Sequence, residues 1–204
     1  MILKGGILVA AIVNDIIAIQ VDDGISFEIR RVVPIMDEAD YPGIRIFLDT
    51  MLETMRTPLT IDFSTGDVIT PKEVLFPFQL LFEKRSIPIF AYNIETVLSE
   101  KIETLLSRGT ANTRMRDFYD IHVLMNMHIQ RIDFVTLKEA FANTSEKRGS
   151  ISLLSDATLI VDEIADDPGM IDLWHRYQQK FDYATDVHWH QVIKSVSELV
   201  KVIE

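Results

Sequence analysis

The stretch LSRGTANTRMRDFYDIHVL crowds cations and carboxylates into a short segment of an otherwise acidic chain. Arg108, Arg114 and Arg116 come just before Asp117 and Asp120. Guanidinium groups bind phosphate through paired N–H donors, and carboxylates orient a cation or bind a metal ion. The start of this helix is therefore a candidate site for a phosphorylated ligand.

A lysine upstream is placed to join this cluster. Lys101 lies three residues after Leu98 and four before Leu105, so it shares a helix face with apolar residues or borders that face. A buried charge without a partner costs several kcal/mol, so this lysine needs an anion nearby. Asp117 and Asp120 are three residues apart and share one face of the next helix. We infer that Lys101 faces Asp117 or Asp120 across the helix pair.

Two interpretations of this cluster stay open on spacing alone. In the structural one, Arg116 and Asp120 form a surface pair worth about 0.2–0.5 kcal/mol, and Lys101 extends its ammonium group into water. In the functional one, Lys101 and Arg108 bind the phosphates of a nucleotide. A carboxylate then holds a metal ion or orients the lysine.

A second candidate carboxylate lies on a predicted strand. Residues 58–63 alternate, with Leu59, Ile61 and Phe63 on one face and Asp62 on the other. Asp62 comes just before a turn, where a strand carboxylate can bind a metal ion. The alternative is an ordinary solvated strand face.

The periodicity predicts an α/β (α+β) protein with a mixed, largely antiparallel sheet and a helical C-terminal part. Residues 1–92 are expected to form a sheet domain that includes a parallel pair from residues 2–4, and residues 93–204 a helical domain. The expected strands are 16–21, 26–33, 44–52, 58–63, 74–82 and 87–91. The expected helices are the one between Asn93 and Gly109 and those at 116–127, 134–142, 152–165, 171–181 and 188–203.

Composition limits the chemistry and the partners. The chain has no cysteine, which excludes disulfides and thiolate chemistry and fits a cytoplasmic protein. The apolar run at the start is too short to span a bilayer and contains Gly5 and Gly6, so no membrane partner is expected. A net charge of −11 disfavours a broad grip on nucleic acid, so any RNA would have to meet a local basic patch.

Three segments together resemble a known family. YNIETVLSEKIETLLSRGTANTRMRDFYDIHVL resembles the helical signature of the AbiEii/AbiGii-type nucleotidyltransferase toxins. MILKGGILVAAI resembles the opening of that family, which is a strand, Gly-Gly and a helix, and PLTIDFSTGDVITP resembles its acid-bearing strand. The similarity spans about residues 1 to 128. The family belongs to the DNA-polymerase-β-like nucleotidyltransferases, and its fold is the one expected here.

The resemblance implies transfer of a nucleotide from a nucleoside triphosphate to an acceptor such as tRNA or another RNA. It also implies a toxin–antitoxin or abortive-infection system with an antitoxin protein, and Mg²⁺ or Mn²⁺ as the metal ion. These groups are expected to meet at one cleft. The implied catalytic residues are Lys101, Asp117 and Asp120, the implied nucleotide-binding residues are Gly5, Gly6, Lys101, Arg108 and Arg116, and the implied metal ligand is Asp62.

The chain departs from the family pattern after its first helix. The family has a strand with an Asp-x-Asp pair there, whereas this sequence offers Asp15 and the adjacent Asp22 and Asp23. Adjacent strand residues point to opposite faces, so Asp22 and Asp23 cannot reproduce that geometry. A catalytically inactive binding module of the same fold is therefore the alternative to an active enzyme.

Overall fold

A computed structural model describes residues 5–19, 21–35, 43–64 and 66–204 of the 204-residue chain. The fold is mixed α/β, and the strands pair antiparallel throughout the described ranges. The chain divides by its internal contacts into two compact units, Met1–Asp67 and Val68–Glu204. The expected strand-to-helix change after residue 92 does occur, and the last two strands belong to the second unit.

The first unit is a small sheet with one helix against it. Its strands pair in the order β1-β2-β3, and register places Arg45 of the middle strand opposite Asp62. The apolar side chains of Val13, Ile46 and Leu48 lie between helix and sheet. The elements are α1 (Gly5–Ile17), β1 (Ile25–Ile35), β2 (Gly43–Leu52) and β3 (Met55–Phe63).

One expected strand in this unit is wrong. Ile16 and Ile17 form the end of α1, and the Ala18 N–H continues the helical bonding with the carbonyl of Asn14 at 3.0 Å. A short apolar run fits a buried strand or a helix equally well by period, which explains the error. Residues 22–24 then form a turn before β1, where the carboxylate of Asp23 accepts the N–H of Ile25 at 2.9 Å. The expected strand at residues 2–4 lies outside the described residues.

The second unit combines a two-stranded sheet with a bundle of helices. The predicted strands and helices of this unit are confirmed apart from shifts at their ends, and residues 151–156 form a 3₁₀ helix instead of the start of an α-helix. The strands are β4 (Val74–Gln79) and β5 (Ser86–Ala91). The helices are α2 (Ile94–Arg108), α3 (Met115–Met127), α4 (Phe134–Lys147), α5 (Ala157–Asp166), α6 (Pro168–Lys180) and α7 (Trp189–Ile203).

Helix α2 supplies the centre of this unit's core. Leu98 and Ile102 are fully buried and pack in one cluster with Phe118 and Ile121 of α3 and Trp174 of α6. Burial of such side chains stabilises by about 1.5–3 kcal/mol each, so the packed faces of α2 and α3 are fixed against each other. The polar residues at the edge of this contact are thereby held in register.

Buried polar groups tie α2 to the segment that follows α4. Glu103 is 4% exposed and accepts hydrogen bonds from Arg148 at 2.5 Å and from Ser150 at 2.7 Å. A buried carboxylate is tolerated only when it is paired and hydrogen-bonded in this way. No helix in the described part of the chain is long and apolar enough to cross a membrane.

Truncating the α2 core contact tests the packing. Leu98→Ala is expected to lower the free energy of unfolding by about 2–5 kcal/mol, because it leaves a cavity at a fully buried position. Leu159→Ala, at a position 59% exposed on α5, is the control and should change it by less than about 0.5 kcal/mol. Urea unfolding followed by tryptophan fluorescence measures both, since Trp174 and Trp189 lie in the second unit. Equal effects of the two variants would contradict this core.

Candidate functional site

Local sequence sets the position of α2. The Asn93 side chain accepts the N–H of Thr96 at 2.9 Å as an N-cap and donates to the Thr70 carbonyl at 2.5 Å. Gly109 ends the helix at a φ of 51°, a conformation that glycine adopts without strain. Both ends predicted from sequence are confirmed. With its ends and its apolar face fixed, α2 presents Lys101 towards the neighbouring helix.

The turn into α3 is also fixed by its own side chains. Asn112 is fully buried, and its side-chain oxygen accepts the N–H of Arg114 at 2.8 Å. Phe118 and Ile121 of α3 then enter the core. Because Asp117 and Asp120 lie on the adjacent strip of the same helix, they border the contact with α2.

The lysine and the two carboxylates meet as predicted. Lys101 Nζ donates to Asp117 Oδ1 at 2.7 Å and lies 2.7 Å from Asp120 Oδ2. The three side chains are 19%, 17% and 30% exposed, so the cluster is largely but not fully removed from water. Charge-assisted bonds of this length are stronger than neutral ones, and they hold the ammonium group in one place. We refer to Lys101, Asp117 and Asp120 as the lysine–aspartate cluster.

The electrostatics of this cluster keep the lysine charged. Burial lowers the pKa of Lys101, but the hydrogen bonds and charges of Asp117 and Asp120 outweigh it and raise the pKa above 10.5. The lysine is therefore a fixed cation at physiological pH. It can neutralise the carboxylates or bind a phosphate oxygen, but it cannot act as a proton acceptor near pH 7.

The arginines around the cluster differ in their placement. Arg116 is 79% exposed, and its Nε lies 3.9 Å from Asp120 Oδ2, a loose i,i+4 pair. Arg108 lies in the last turn of α2, where a cation complements the helix dipole. Arg114 is exposed just before α3 begins. Of the predicted cations, Arg114 and Arg116 therefore line one cavity with Asp117, whereas Arg108 lies seven residues after Lys101 at the end of α2.

Asp62 belongs to the first unit and has a partner of its own. Its two carboxylate oxygens accept from Arg45 Nε and Nη2, both at 2.6 Å. This two-point hydrogen bond lowers the pKa of Asp62, which is therefore ionised at neutral pH. The predicted alternation of β3 is confirmed, since Leu59, Ile61 and Phe63 face the cavity beside α1. The expected meeting of Asp62 with the lysine–aspartate cluster stays a prediction.

The described residues do not fit a metal site by themselves. Within the ranges that the structure covers, no three His, Cys, Asp or Glu side chains are grouped so that they could hold a metal ion. Both oxygens of Asp62 are engaged by a guanidinium group, which a metal ion would have to displace. Gly5 and Gly6 form the first turn of α1. Asp22 and Asp23 lie in the turn before β1 and not on a strand.

Sequence reasoning missed residues that border this site from a distant helix. Arg176, Lys180 and Tyr183, on α6 and the 3₁₀ turn at 182–184, line a cavity together with Arg116 and Asp117 of α3. The spacing of Arg176 and Lys180 by four residues was visible in the sequence. Their closeness to α3 was not, because it depends on how the helices pack.

Comparison with known proteins agrees with these features. The family model described as the nucleotidyl transferase AbiEii toxin of type IV toxin–antitoxin systems matches residues 7–200. Its description is that of a nucleotidyltransferase toxin. The chain belongs to this AbiEii family, as the three quoted segments predicted.

A solved structure is similar at a greater distance. It is a crystal structure from H. pylori described as that of a nucleotidyltransferase, with 14% sequence identity and a TM-score of 0.39. The alignment covers 90% of this chain and 68% of the other. A search of curated proteins gave no match.

Replacing the lysine tests how the cluster is held. Lys101→Met should lower the free energy of unfolding by about 1–3 kcal/mol near pH 7, because two partly buried carboxylates lose their cation. A lysine whose pKa is raised by folding stabilises fully below its ordinary pKa of 10.5, and the effect is lost as pH rises through the raised value. The difference between wild type and variant should therefore be constant up to about pH 10 and shrink above it.

The matched control for this measurement removes the neighbouring, exposed cation. Arg116→Met takes away a charge 3.9 Å from the same carboxylate of Asp120 and should cost less than about 0.5 kcal/mol. Urea unfolding at a series of pH values measures both variants. A difference for Lys101→Met that is no larger than the control, or that grows above pH 10, would contradict the described pairing.

Proposed function

We propose that this chain is the nucleotidyltransferase toxin of a toxin–antitoxin system and transfers a nucleotide from a nucleoside triphosphate to an RNA acceptor. The observation that carries the proposal is the lysine–aspartate cluster in a chain of the AbiEii family. A fixed cation on a side chain that is still partly exposed is suited to a phosphate oxygen. In the transfer, an acceptor oxygen bonds to the α-phosphorus while the bond to pyrophosphate breaks.

Each predicted residue has a role in this proposal. Lys101 contacts a phosphate of the triphosphate, and Asp117 and Asp120 hold its ammonium group in position. Arg108 and Arg116 add positive charge that favours the leaving pyrophosphate. Gly5 and Gly6, without a Cβ at the start of α1, would let the triphosphate approach the backbone.

The role of a metal ion is not explained by the described carboxylates. The family chemistry implies Mg²⁺ or Mn²⁺, with Asp62 as a ligand. The described carboxylates do not form such a site, because Asp62 is held by Arg45 and no further ligands are grouped with it in the described ranges. The proposal therefore assigns no step to a metal ion. The assay below measures whether transfer depends on Mg²⁺ or Mn²⁺.

The proposed partners follow from the family. An antitoxin protein would restrain the activity, and tRNA or another RNA would accept the nucleotide. Arg108, Arg114 and Arg116, with Lys84 and Arg85 in the turn between β4 and β5, are the proposed RNA contacts. The absence of cysteine is in keeping with a cytoplasmic location.

The second candidate is a binding module of the same family without turnover. The arginine-bound Asp62, which is grouped with no other metal ligands within the described residues, favours it, because two-metal chemistry needs several carboxylates on one site. In this case the lysine–aspartate cluster would still bind the phosphates of a nucleotide. Binding without transfer separates this candidate from the enzyme.

Label transfer tests the proposal directly. Purified protein is incubated with bulk RNA and each of the four α-labelled nucleoside triphosphates, in Mg²⁺ or Mn²⁺, and label in RNA is measured. At least one triphosphate should give labelled RNA, and Lys101→Ala should lower the rate by about 10²–10³-fold because it removes a phosphate contact. Lys138→Ala, an exposed lysine on α4, is the control and should keep the wild-type rate.

The outcomes of this assay divide the candidates. Triphosphate binding by wild type without label transfer in either metal would overturn the enzyme and establish the binding module. Transfer that persists with excess chelator would exclude the metal ion. If Asp62 is a ligand, Arg45→Gln should lower the metal concentration for half-maximal transfer, since it frees both carboxylate oxygens. No such change would argue against Asp62.

A further inference from the structure

The second unit has a cavity of about 520 Å³ beside the lysine–aspartate cluster. The start of α3 forms one wall, and α6 with the following 3₁₀ turn forms the other. Asp117 of the cluster also lines it. We call this cavity the α3–α6 groove. The lining residues that matter here are Arg114, Arg116, Arg176, Lys180, Phe181 and Tyr183.

The groove concentrates positive charge in an acidic chain. Four of the 20 basic residues line it, although acidic residues number 31. Arg176 Nε donates to the Asp172 carbonyl at 3.3 Å, and Lys180 Nζ lies 5.3 Å from the ring of Phe181. Among the described residues, neither cation is paired with a carboxylate, and both are exposed. Lys101 and Arg116 together offset the charges of Asp117 and Asp120, so Arg176 and Lys180 add positive charge to the groove, which favours anions.

A partly exposed aromatic side chain lies in the same groove. Tyr183 is 53% exposed, yet its ring packs 4.9 Å from Tyr119 and 5.4 Å from Phe181. Its hydroxyl lies 2.9 Å from the hydroxyl of Tyr177. Burial and this hydrogen bond raise the pKa of Tyr177, so that hydroxyl stays protonated at neutral pH. Tyr183 is therefore a ring fixed by its neighbours, and about half of its surface is exposed to a ligand.

Cations beside a fixed exposed ring match the chemistry of single-stranded nucleic acid. Phosphates follow the basic residues, and a base stacks on the ring without regard to sequence. An acidic protein segment would use the cations but has no need of the ring. A duplex keeps its bases stacked inside and cannot offer them to Tyr183.

We propose that the α3–α6 groove binds single-stranded RNA, with Arg176 and Lys180 on its phosphates and Tyr183 stacked on a base. The groove would then lead the acceptor end to the lysine–aspartate cluster, a part of the proposal that rests on the proposed function. The binding itself does not depend on catalysis. DNA shares the base and phosphate chemistry, so the test includes both strands.

Fluorescence anisotropy with a labelled single-stranded RNA of about 12 nucleotides tests the groove at several salt concentrations. The variant Arg176→Gln/Lys180→Gln should bind more weakly. The slope of the logarithm of the binding constant against log salt should become less steep by about 1.4, that is about 0.7 for each lost phosphate contact. The control Lys138→Gln/Lys201→Gln removes two exposed lysines that do not line the groove and should leave both values unchanged.

The aromatic part has its own variants. Tyr183→Ala should weaken binding by about tenfold because a stacking surface is lost, whereas Tyr183→Phe should bind as wild type. Circular dichroism is used to check whether each variant keeps the helical fold. A variant that loses helix is replaced by Tyr183→Leu, which keeps bulk but lacks a ring and should also weaken binding. Equal affinity of Tyr183→Leu and Tyr183→Phe would overturn the stacking contact.

The remaining outcomes are decisive for the groove. Equal affinity and salt slope for the groove variant and its control would overturn the proposal. Equal affinity for duplex and single-stranded RNA would overturn it as well. Displacement of the single-stranded RNA by an equal concentration of ATP would also overturn it. Stronger binding of RNA than of DNA would support it, whereas a preference for single-stranded DNA would overturn the choice of RNA.

Failure of the groove and failure of the proposed function are distinguishable. RNA binding that depends on the groove, without label transfer by wild type, would overturn the function and keep the groove. If wild type transfers label and the groove variant shows unchanged transfer and unchanged RNA binding, the function stands and the groove is overturned. If both hold, Lys101→Ala should bind RNA as wild type does while its transfer rate falls.

Discussion

The site depends on one interaction, the double hydrogen bond of the Lys101 ammonium group with Asp117 and Asp120. Each distance is 2.7 Å, and all three side chains are at most 30% exposed. The lysine and the two carboxylates need each other, because a partly buried charge without a partner carries an uncompensated desolvation cost. The cores of α2 and α3 set the separation at which this pairing is possible. The same pairing leaves a fixed cation at the open edge of the helix contact.

The net charge of the chain and the local charge beside the cluster have opposite signs. The chain carries a net charge of −11, which repels polyanions at long range. At physiological ionic strength, charges separated by more than about 8 Å are largely screened from each other. What a bound phosphate meets is therefore the local set of cations at the start of α3 and on α6. An acidic chain with such a local set of cations is compatible with the proposed binding of RNA or a triphosphate at one place.

Sequence reasoning succeeded where local features agreed with each other. The N-cap Asn93, the glycine at 109 and the apolar stripe between them fixed α2 and hence the pairing of Lys101. It failed at residues 16–21, where a short apolar run was read as a strand and α1 reaches Ile17. It could not find the contact of Arg176 and Lys180 with the start of α3, because only helix packing brings these segments together. Local signals fix elements, whereas sites formed between distant elements need the tertiary structure.

The most direct test of the central claim is a crystal structure of the protein with a nucleoside triphosphate bound. The account predicts a phosphate oxygen within about 3 Å of Lys101 Nζ, while the ammonium group keeps at least one bond to Asp117 or Asp120. A triphosphate bound elsewhere, with the lysine–aspartate cluster unchanged and closed to it, would show that the cluster serves structure alone and would contradict the account.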